Sequence, residues 1–172
     1  MSNVKRLINA SKSEINKMGP LELKESIYKS EGRVIMGQHL IFAGPGTVMG
    51  VTNAELLCSF GADMVMLNTI DLDNFENNPG LCGLTIKELK EKCNCPIGVY
   101  LGCPKKGEKR SDEKTLYRLA GMLATKEHIL KAVALGVDFI VLGGNPGSGT
   151  SIEDVIAVSY THLRAHETRH DL

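Results

Sequence analysis

The sequence predicts an α/β fold with a parallel sheet, and three observations support this prediction. Four short segments rich in apolar residues have the character of strands, at 33–41, 62–67, 96–101 and 138–142. Helical patterns follow them, at 53–60, 85–92, 125–135 and 151–157. The same helix-to-strand joint occurs twice, as FGAD at 60–63 and as LGVD at 135–138. Repeated βα units of this kind form parallel sheets with right-handed crossovers.

Residues 1–32 are predicted to form a helical extension that precedes the sheet. Ser11 and Glu14 have the spacing of a capping box, Pro20 suits a first helical turn, and Gly32 is a natural stop. We therefore expect two short helices before the first strand.

The elements that follow carry their own local signals. Thr52 and Glu55 have capping-box spacing and open the helix at 53–60. The last three strands are short and nearly all apolar, as strands buried on both faces are. The helix at 125–135 has an apolar side made of Ile129, Leu130, Val133 and Ala134.

The loop after the first strand, FAGPGTVMG, distinguishes two parallel-sheet architectures. An open doubly wound sheet usually carries Gly-x-Gly-x-x-Gly at this point, and the loop lacks that spacing. A (β/α)8 barrel needs about 250 residues. Because residues 33–157 supply four βα units, we expect the amino-terminal half of a (β/α)8 TIM barrel.

Residues 158–172, VSYTHLRAHETRHDL, do not continue the βα pattern. They resemble the translation of a transposase adapter used for sequencing libraries, so we expect a non-native tail and exclude it from the search for a site. The alternative is a polar helix, on which His162, His166 and His170 would share one face and suggest a metal site.

Composition narrows the class of protein. The 172 residues include 20 Lys plus Arg and 20 Asp plus Glu, and this balance argues against a nucleic-acid partner. No apolar run is long enough for a membrane span, and residues 1–10 lack the apolar core of a signal peptide. Five cysteines, an odd number, favour reduced thiols over a disulfide framework. We expect a cytoplasmic protein without a nucleic-acid or membrane partner.

Three segments carry a family resemblance: the opening LINASKSEINKMGPLELKESIYKSEGRV, then VTNAELLCSFGADMVMLN, and RLAGMLATKEHILKAVALGVDFIVLGGNPGSGTS. They resemble an uncharacterised family of bacterial TIM-barrel proteins, loosely labelled phosphoenolpyruvate-phosphonomutase-like or haloacid-dehalogenase-like. The resemblance covers residues 5–157 and implies a barrel. It transfers no catalytic residue.

In a barrel the chemistry lies at the carboxyl ends of the strands, and the loop after the fourth strand is the strongest candidate. It predicts an anion site, because glycines let backbone N–H groups turn inward towards a phosphate or carboxylate. The residues of this site are Gly143, Gly144, Asn145, Gly147, Ser148, Gly149 and Thr150. The alternative is a plain turn in which Thr150 or Ser151 caps the next helix.

Asp71 and Asp73 follow the second strand and predict a Mg²⁺ site, since paired carboxylates provide the oxygen ligands that this ion prefers. A haloacid-dehalogenase-like nucleophile is a second interpretation, although Phe75 departs from that pattern. The third interpretation is a surface loop over 71–79, which is rich in turn formers.

Other candidates lie in or after the strands. Cys103 is a candidate nucleophile, and Lys105, in a basic run at 105–110, is a candidate substrate contact. Asn68 is a candidate hydrogen-bond donor to substrate, and His39 is a candidate acid or base at the barrel mouth. Each candidate also has a purely structural interpretation. Cys103 would be a buried thiol and Lys105 part of a solvated loop, while Asn68 would be a strand-end amide and His39 a core histidine.

These residues predict an enzyme that acts on a small phosphorylated or carboxylated metabolite, by lyase or isomerase chemistry with Mg²⁺. The alternatives are a metabolite-binding barrel without catalysis and a phosphohydrolase that uses Asp71 and Asp73. We expect the half barrel to be inactive alone and the full-length protein to form homo-oligomers.

Overall fold

The computed structural model describes residues 4–103, 120–144 and 150–159. Its four strands are β1 Met36–Leu40, β2 Met64–Asn68, β3 Ile97–Gly102 and β4 Phe139–Gly143. The α-helices are α1 Lys12–Ile15, α2 Pro20–Lys29, α3 Asn53–Ser59, α4 Ile86–Cys93, α5 Lys126–Ala134 and α6 Ile152–Val158. The α/β fold and the succession of elements agree with the sequence prediction.

The sheet is entirely parallel, and its strands lie side by side in the order β1-β2-β3-β4. In an open doubly wound sheet the strand order reverses at one point, and helices cover both faces. When each strand is instead added next to the previous one by a right-handed crossover, all the helices lie on one face. The observed order is therefore consistent with half of a barrel.

The first strand is shorter than predicted. It begins at Met36 rather than at residue 33, and a 3-10 helix, Ile41–Ala43, follows it. β1 has only β2 as a neighbour within the described residues, and their register runs from Met36 opposite Met64 to Leu40 opposite Asn68. β1 is therefore as long as the part of β2 with which it pairs. The apolar pattern of one segment does not reveal the length of its partner, so the sequence overestimated the strand.

The two faces of the sheet differ in what covers them. Helices α3, α4 and α5 cover one face, which holds the main core, including Val65, Leu67, Ile97, Val99 and Leu101. The alternate residues of each strand point to the other face, which we call the inner face.

The amino-terminal helices cover the amino end of the inner face. Leu7 and Leu23 form a second apolar cluster with Met64 of β2, and Phe139 of β4 packs against it. The ring of Phe139 lies across Gly98, where an added Cβ would be 2.3 Å from the ring. Residues 4–32 thus close one end of the inner face and leave its carboxyl end open.

The repeated helix-to-strand joints have one physical role. The carboxylate of Asp63 accepts a hydrogen bond from the N–H of Ile35 at 2.8 Å, and that of Asp138 accepts one from Ile97 at 2.8 Å. In each joint the aspartate at the start of one strand holds the start of the preceding strand. Lys90 also pairs with Asp138, at 2.7 Å.

No helix among the described residues has both the length and the apolar character that crossing a bilayer requires.

Candidate functional site

The carboxyl edge of the inner face presents polar side chains from two adjacent strands. By strand alternation and register, Asn68 of β2 and Tyr100 of β3 lie on the inner face at the same level, whereas Gln38 of β1 lies lower, opposite Met66. Asn68 was predicted from the sequence, whereas Tyr100 was not. The period of two along β3 separates Tyr100 from the buried Ile97 and Val99 and would have identified it.

Asn68 and Thr69 form a constrained corner at this edge. The Oδ1 of Asn68 accepts a hydrogen bond from the N–H of Thr69 at 2.7 Å, and this turns the amide NH₂ of Asn68 away from the backbone. Thr69 has φ of 61°, a left-handed conformation that is unusual for a β-branched residue. Its hydroxyl accepts from the N–H of Phe42 at 3.3 Å. Strain of this kind persists only where the surroundings impose it, and it is concentrated at binding sites.

The predicted anion loop is described only at its two ends. Gly143 lies under the ring of Tyr100, and Gly144 lies against Thr150. Asn145, Gly147, Ser148 and Gly149 lie outside the described residues, so the anion site stays a prediction.

The helix that follows this loop begins with a capping box. Ser151 accepts from the N–H of Asp154, and the carboxylate of Asp154 accepts from the N–H of Ser151 at 2.9 Å. This is the N-cap of the plain-turn alternative. A carboxylate at the start of α6 also disfavours a second anion there.

Asp71 is buried, with 2% of its surface exposed, and its carboxylate binds its own loop. Oδ1 accepts from the N–H groups of Asp73 and Asn74, at 2.9 and 3.2 Å, and Oδ2 accepts from the side chain of Asn74 at 3.2 Å. The backbone of Asp71 exchanges two hydrogen bonds with the amide of Asn78, at 2.8 and 3.0 Å. The carboxylate thus organises a turn, as the turn formers of 71–79 suggest, but Asp71 itself is buried and not part of an exposed surface loop.

Asp73 points away from Asp71, towards α5. Its Oδ1 lies 3.0 Å from Nε2 of His128 and 2.6 Å from Nζ of Lys131. His128 is fully buried, and its Nδ1 faces the carbonyl oxygen of Leu123 at 2.8 Å. The carboxylates of Asp71 and Asp73 are thus directed to separate partners. In the described parts of the chain, no three or more His, Cys, Asp or Glu side chains are arranged so that they could hold a metal ion, and Mg²⁺ binding stays a prediction.

The contacts of Asp73 predict a pH-dependent contribution to stability. The hydrogen bond from Lys131, and then that from His128, hold the pKa of Asp73 below its usual value. A lowered folded-state pKa stabilises the protein above the unfolded-state pKa of about 3.9, and this stabilisation is lost as the pH falls through the folded-state pKa. We expect Asp73→Asn to lower the free energy of unfolding by about 1 kcal/mol at pH 7.

Urea denaturation of both proteins at pH 7 and pH 3 tests this expectation, since the difference should shrink at the lower pH. Glu127→Gln is the matched control. Glu127 also pairs with Lys131, at 3.1 Å, but it is 60% exposed and should contribute less than about 0.5 kcal/mol. Equal stability of wild type and Asp73→Asn at pH 7 would contradict the structural role.

His39 differs from its expected position at the barrel mouth. It shares the helix-covered face with Gly37, whose added Cβ would contact Leu57 of α3 at 3.0 Å. His39 is 1% exposed, and neither ring nitrogen has a hydrogen-bond partner among the described residues. Burial lowers the pKa of His39, because desolvation disfavours the charged ring. The structural alternative, a core histidine, fits this geometry.

Cys103 and Lys105 were the candidates after β3. Cys103 is 1% exposed, and burial, then the charge of Asp154, raises the pKa of its thiol. A nucleophilic thiol has a lowered pKa, so this shift does not favour Cys103 as the nucleophile. Lys105 lies outside the described residues.

Fold and site together define an α/β domain whose parallel sheet presents amide and phenol groups at the carboxyl ends of its strands. The chain belongs to the family described as "Domain of unknown function (DUF7916)", whose model matches residues 8–169. No curated protein and no solved structure matches the chain. The matched range reaches into the adapter-like segment 158–172, so the identification of that segment as non-native stays a prediction.

Proposed function

We propose that the chain contributes half of a TIM-barrel enzyme that binds a small phosphorylated or carboxylated metabolite at the carboxyl edge of the inner face. The main support is the turn at Asn68 and Thr69. Thr69 has a strained left-handed backbone, and the hydrogen bond from its N–H to Oδ1 of Asn68 leaves the amide NH₂ of Asn68 directed away from the backbone. The lyase or isomerase class and the cytoplasmic location expected from the sequence belong to this proposal.

Two features of the sheet, its strand order and its exposed inner face, support a barrel. The strands follow one another in sequence order with α3, α4 and α5 on one face. On the inner face of the edge strand β1, Met36 and Leu40 are 45% and 41% exposed. A closed barrel fills its interior with packed side chains and would cover both residues.

The chemistry of the edge suits a ligand with anionic oxygens. Amide and phenol groups donate hydrogen bonds to oxyanions, and such donors stabilise an enolate as it forms. The basic run at 105–110 and the glycine-rich loop at 143–149 directly follow β3 and β4 in the sequence. We base the proposal on these donors rather than on Mg²⁺, because Asp71 and Asp73 bind groups of the protein.

A metabolite-binding barrel without catalysis is the second candidate, and one observation favours it. Within the described residues, the inner-face positions of the four strands hold no histidine or carboxylate that could serve as an acid or base. A ligand that binds and is returned chemically unchanged would support this candidate.

The proposal predicts that phosphorylated three- to six-carbon acids raise the melting temperature of the protein in a thermal-shift series. We expect Asn68→Ala to weaken the affinity by about tenfold to a hundredfold, since one hydrogen bond to a charged group contributes about 1.5–3 kcal/mol. Asn9→Ala is the matched control, because Asn9 is exposed at the opposite edge of the sheet. No shift with any of these acids, or equal affinities of both variants, would contradict the proposal.

A further inference from the structure

Three cysteines from separate segments meet near the amino edge of the sheet. Cys58 lies in α3, Cys93 ends α4, and Cys95 precedes β3. The Sγ atoms of Cys58 and Cys95 are 2.9 Å apart, and the thiol of Cys93 is near enough to shift the pKa of Cys58. All are free thiols. We call these three residues the thiol cluster.

The thiol cluster opens to solvent through Cys58. Cys93 and Cys95 are 4% and 6% exposed, whereas Cys58 is half-buried. All three line a cleft of about 400 Å³, whose walls also include Lys12 and Lys92. A small molecule that enters the cleft therefore meets the sulfur of Cys58 before the other two.

Neighbouring groups give Cys58 thiolate character. Interactions with the thiols of Cys93 and Cys95 lower the pKa of Cys58, with a smaller contribution from the charge of Lys12. Burial and the charge of Glu55 act in the opposite direction. Thiolates are the nucleophiles of cysteine chemistry, and cysteines beside hydrogen-bond donors and lysines are the reactive ones.

The other two thiols stay protonated. The interaction with Cys58 raises the pKa of the Cys93 thiol and of the Cys95 thiol. A protonated thiol held against a thiolate is the arrangement in which the second sulfur can attack once the first has reacted.

We propose that the thiol cluster is a thiol–disulfide exchange site that reduces low-molecular-weight disulfides. The Cys58 thiolate attacks one sulfur of the substrate, the substrate S–S bond breaks, and the first thiolate leaves and takes a proton from solvent. Cys95 then gives its proton to solvent and attacks the Cys58 sulfur, which displaces the second thiolate. Two protein thiols are oxidised to one disulfide, and one small disulfide is reduced to two thiols.

The geometry suits the second step. An S–S bond is roughly 2.05 Å long, so the two sulfurs need to approach by less than about 1 Å from their 2.9 Å separation. The site lies at the edge of the sheet opposite Asn68 and Thr69. It is therefore independent of the metabolite site proposed above.

The experiment treats the protein with oxidised glutathione at pH 6 and maps its disulfides by peptide mass spectrometry after acid quenching. We expect a Cys58–Cys95 disulfide in wild type and a glutathione adduct that persists on Cys58 in Cys95→Ser. Cys58→Ser should lower the rate of thiol loss at the cluster by at least about tenfold. Cys82→Ser is the matched control, since Cys82 is exposed and outside the cluster, and it should leave the Cys58–Cys95 bond unchanged.

Free thiols at Cys58 and Cys95 beside an adduct on Cys82 would overturn the proposal. So would a wild-type disulfide that joins Cys93 to another residue, or unchanged oxidation of the cluster in Cys58→Ser. Circular dichroism shows whether each variant is folded, and the wild-type map does not depend on any variant.

Discussion

Replacing Asp71 with alanine should lower the free energy of unfolding by about 3 kcal/mol, because the change leaves buried donors without an acceptor. The carboxylate accepts hydrogen bonds from two backbone N–H groups and from the side chain of Asn74. With 2% of Asp71 exposed, water cannot replace these bonds without opening the loop. An added Cβ at Gly121 would lie 2.1 Å from Oδ1 of Asp71, so the loop is also packed against the segment that precedes α5.

Urea denaturation at pH 7 measures this loss, with two comparisons. Asp71→Asn keeps one acceptor oxygen and should lose less than Asp71→Ala. Glu76→Ala removes an exposed carboxylate from the same loop and should change the stability by less than about 0.5 kcal/mol.

Magnesium distinguishes the structural role of Asp71 from a metal-binding one. If Asp71 only organises the loop, Mg²⁺ should leave the unfolding midpoint of wild type unchanged. A stabilisation by Mg²⁺ that disappears in Asp71→Ala would contradict the purely structural account and support the metal site predicted from the sequence.

The succession of strands and helices was predictable because its signals are local. Capping boxes at Ser11, Thr52 and Ser151 occupy the predicted helix starts, and the apolar segments became strands. The repeated Gly-x-Asp joints marked the entry into β2 and β4. Their hydrogen bonds to the preceding strands, such as that from Ile97 to Asp138, were beyond the sequence, since a pattern does not state which backbone group lies opposite.

The contacts at the sites were less predictable because they join distant parts of the chain. Asp73 and His128 are 55 residues apart, so the spacing of Asp71 and Asp73 suggested a shared metal although their side chains diverge. Cys93 and Cys95 lack a second cysteine pair at zinc-site spacing, and Cys58 joins them from 37 residues away. The orientation of His39 was not predicted for a different reason. Its strand was recognised, but the face to which the side chain points depends on packing against α3 and against the turn at Gly80.

Leu67→Ala should produce a loss of about 3–5 kcal/mol, because Leu67 has no exposed surface and lies at the centre of the helix-covered core. It faces Val99 in β3 and His39 in β1, so neighbouring strands on both sides limit how far the cavity can collapse. Leu21→Ala removes the same atoms from a residue that is 74% exposed and should change the stability by less than about 0.5 kcal/mol.

The comparison also tests whether the four strands form one cooperative unit. If they do, guanidinium unfolding of Leu67→Ala shifts to a lower midpoint with an unchanged slope, since the surface exposed on unfolding stays the same. A loss below about 1 kcal/mol would contradict the tight packing of Leu67. A transition that splits into two would mean that the β2 core and the amino-terminal cluster around Leu7 and Leu23 unfold separately. One transition would show that residues 4–32, which pack on Met64 and Phe139, stabilise the same sheet whose opposite face Leu67 supports.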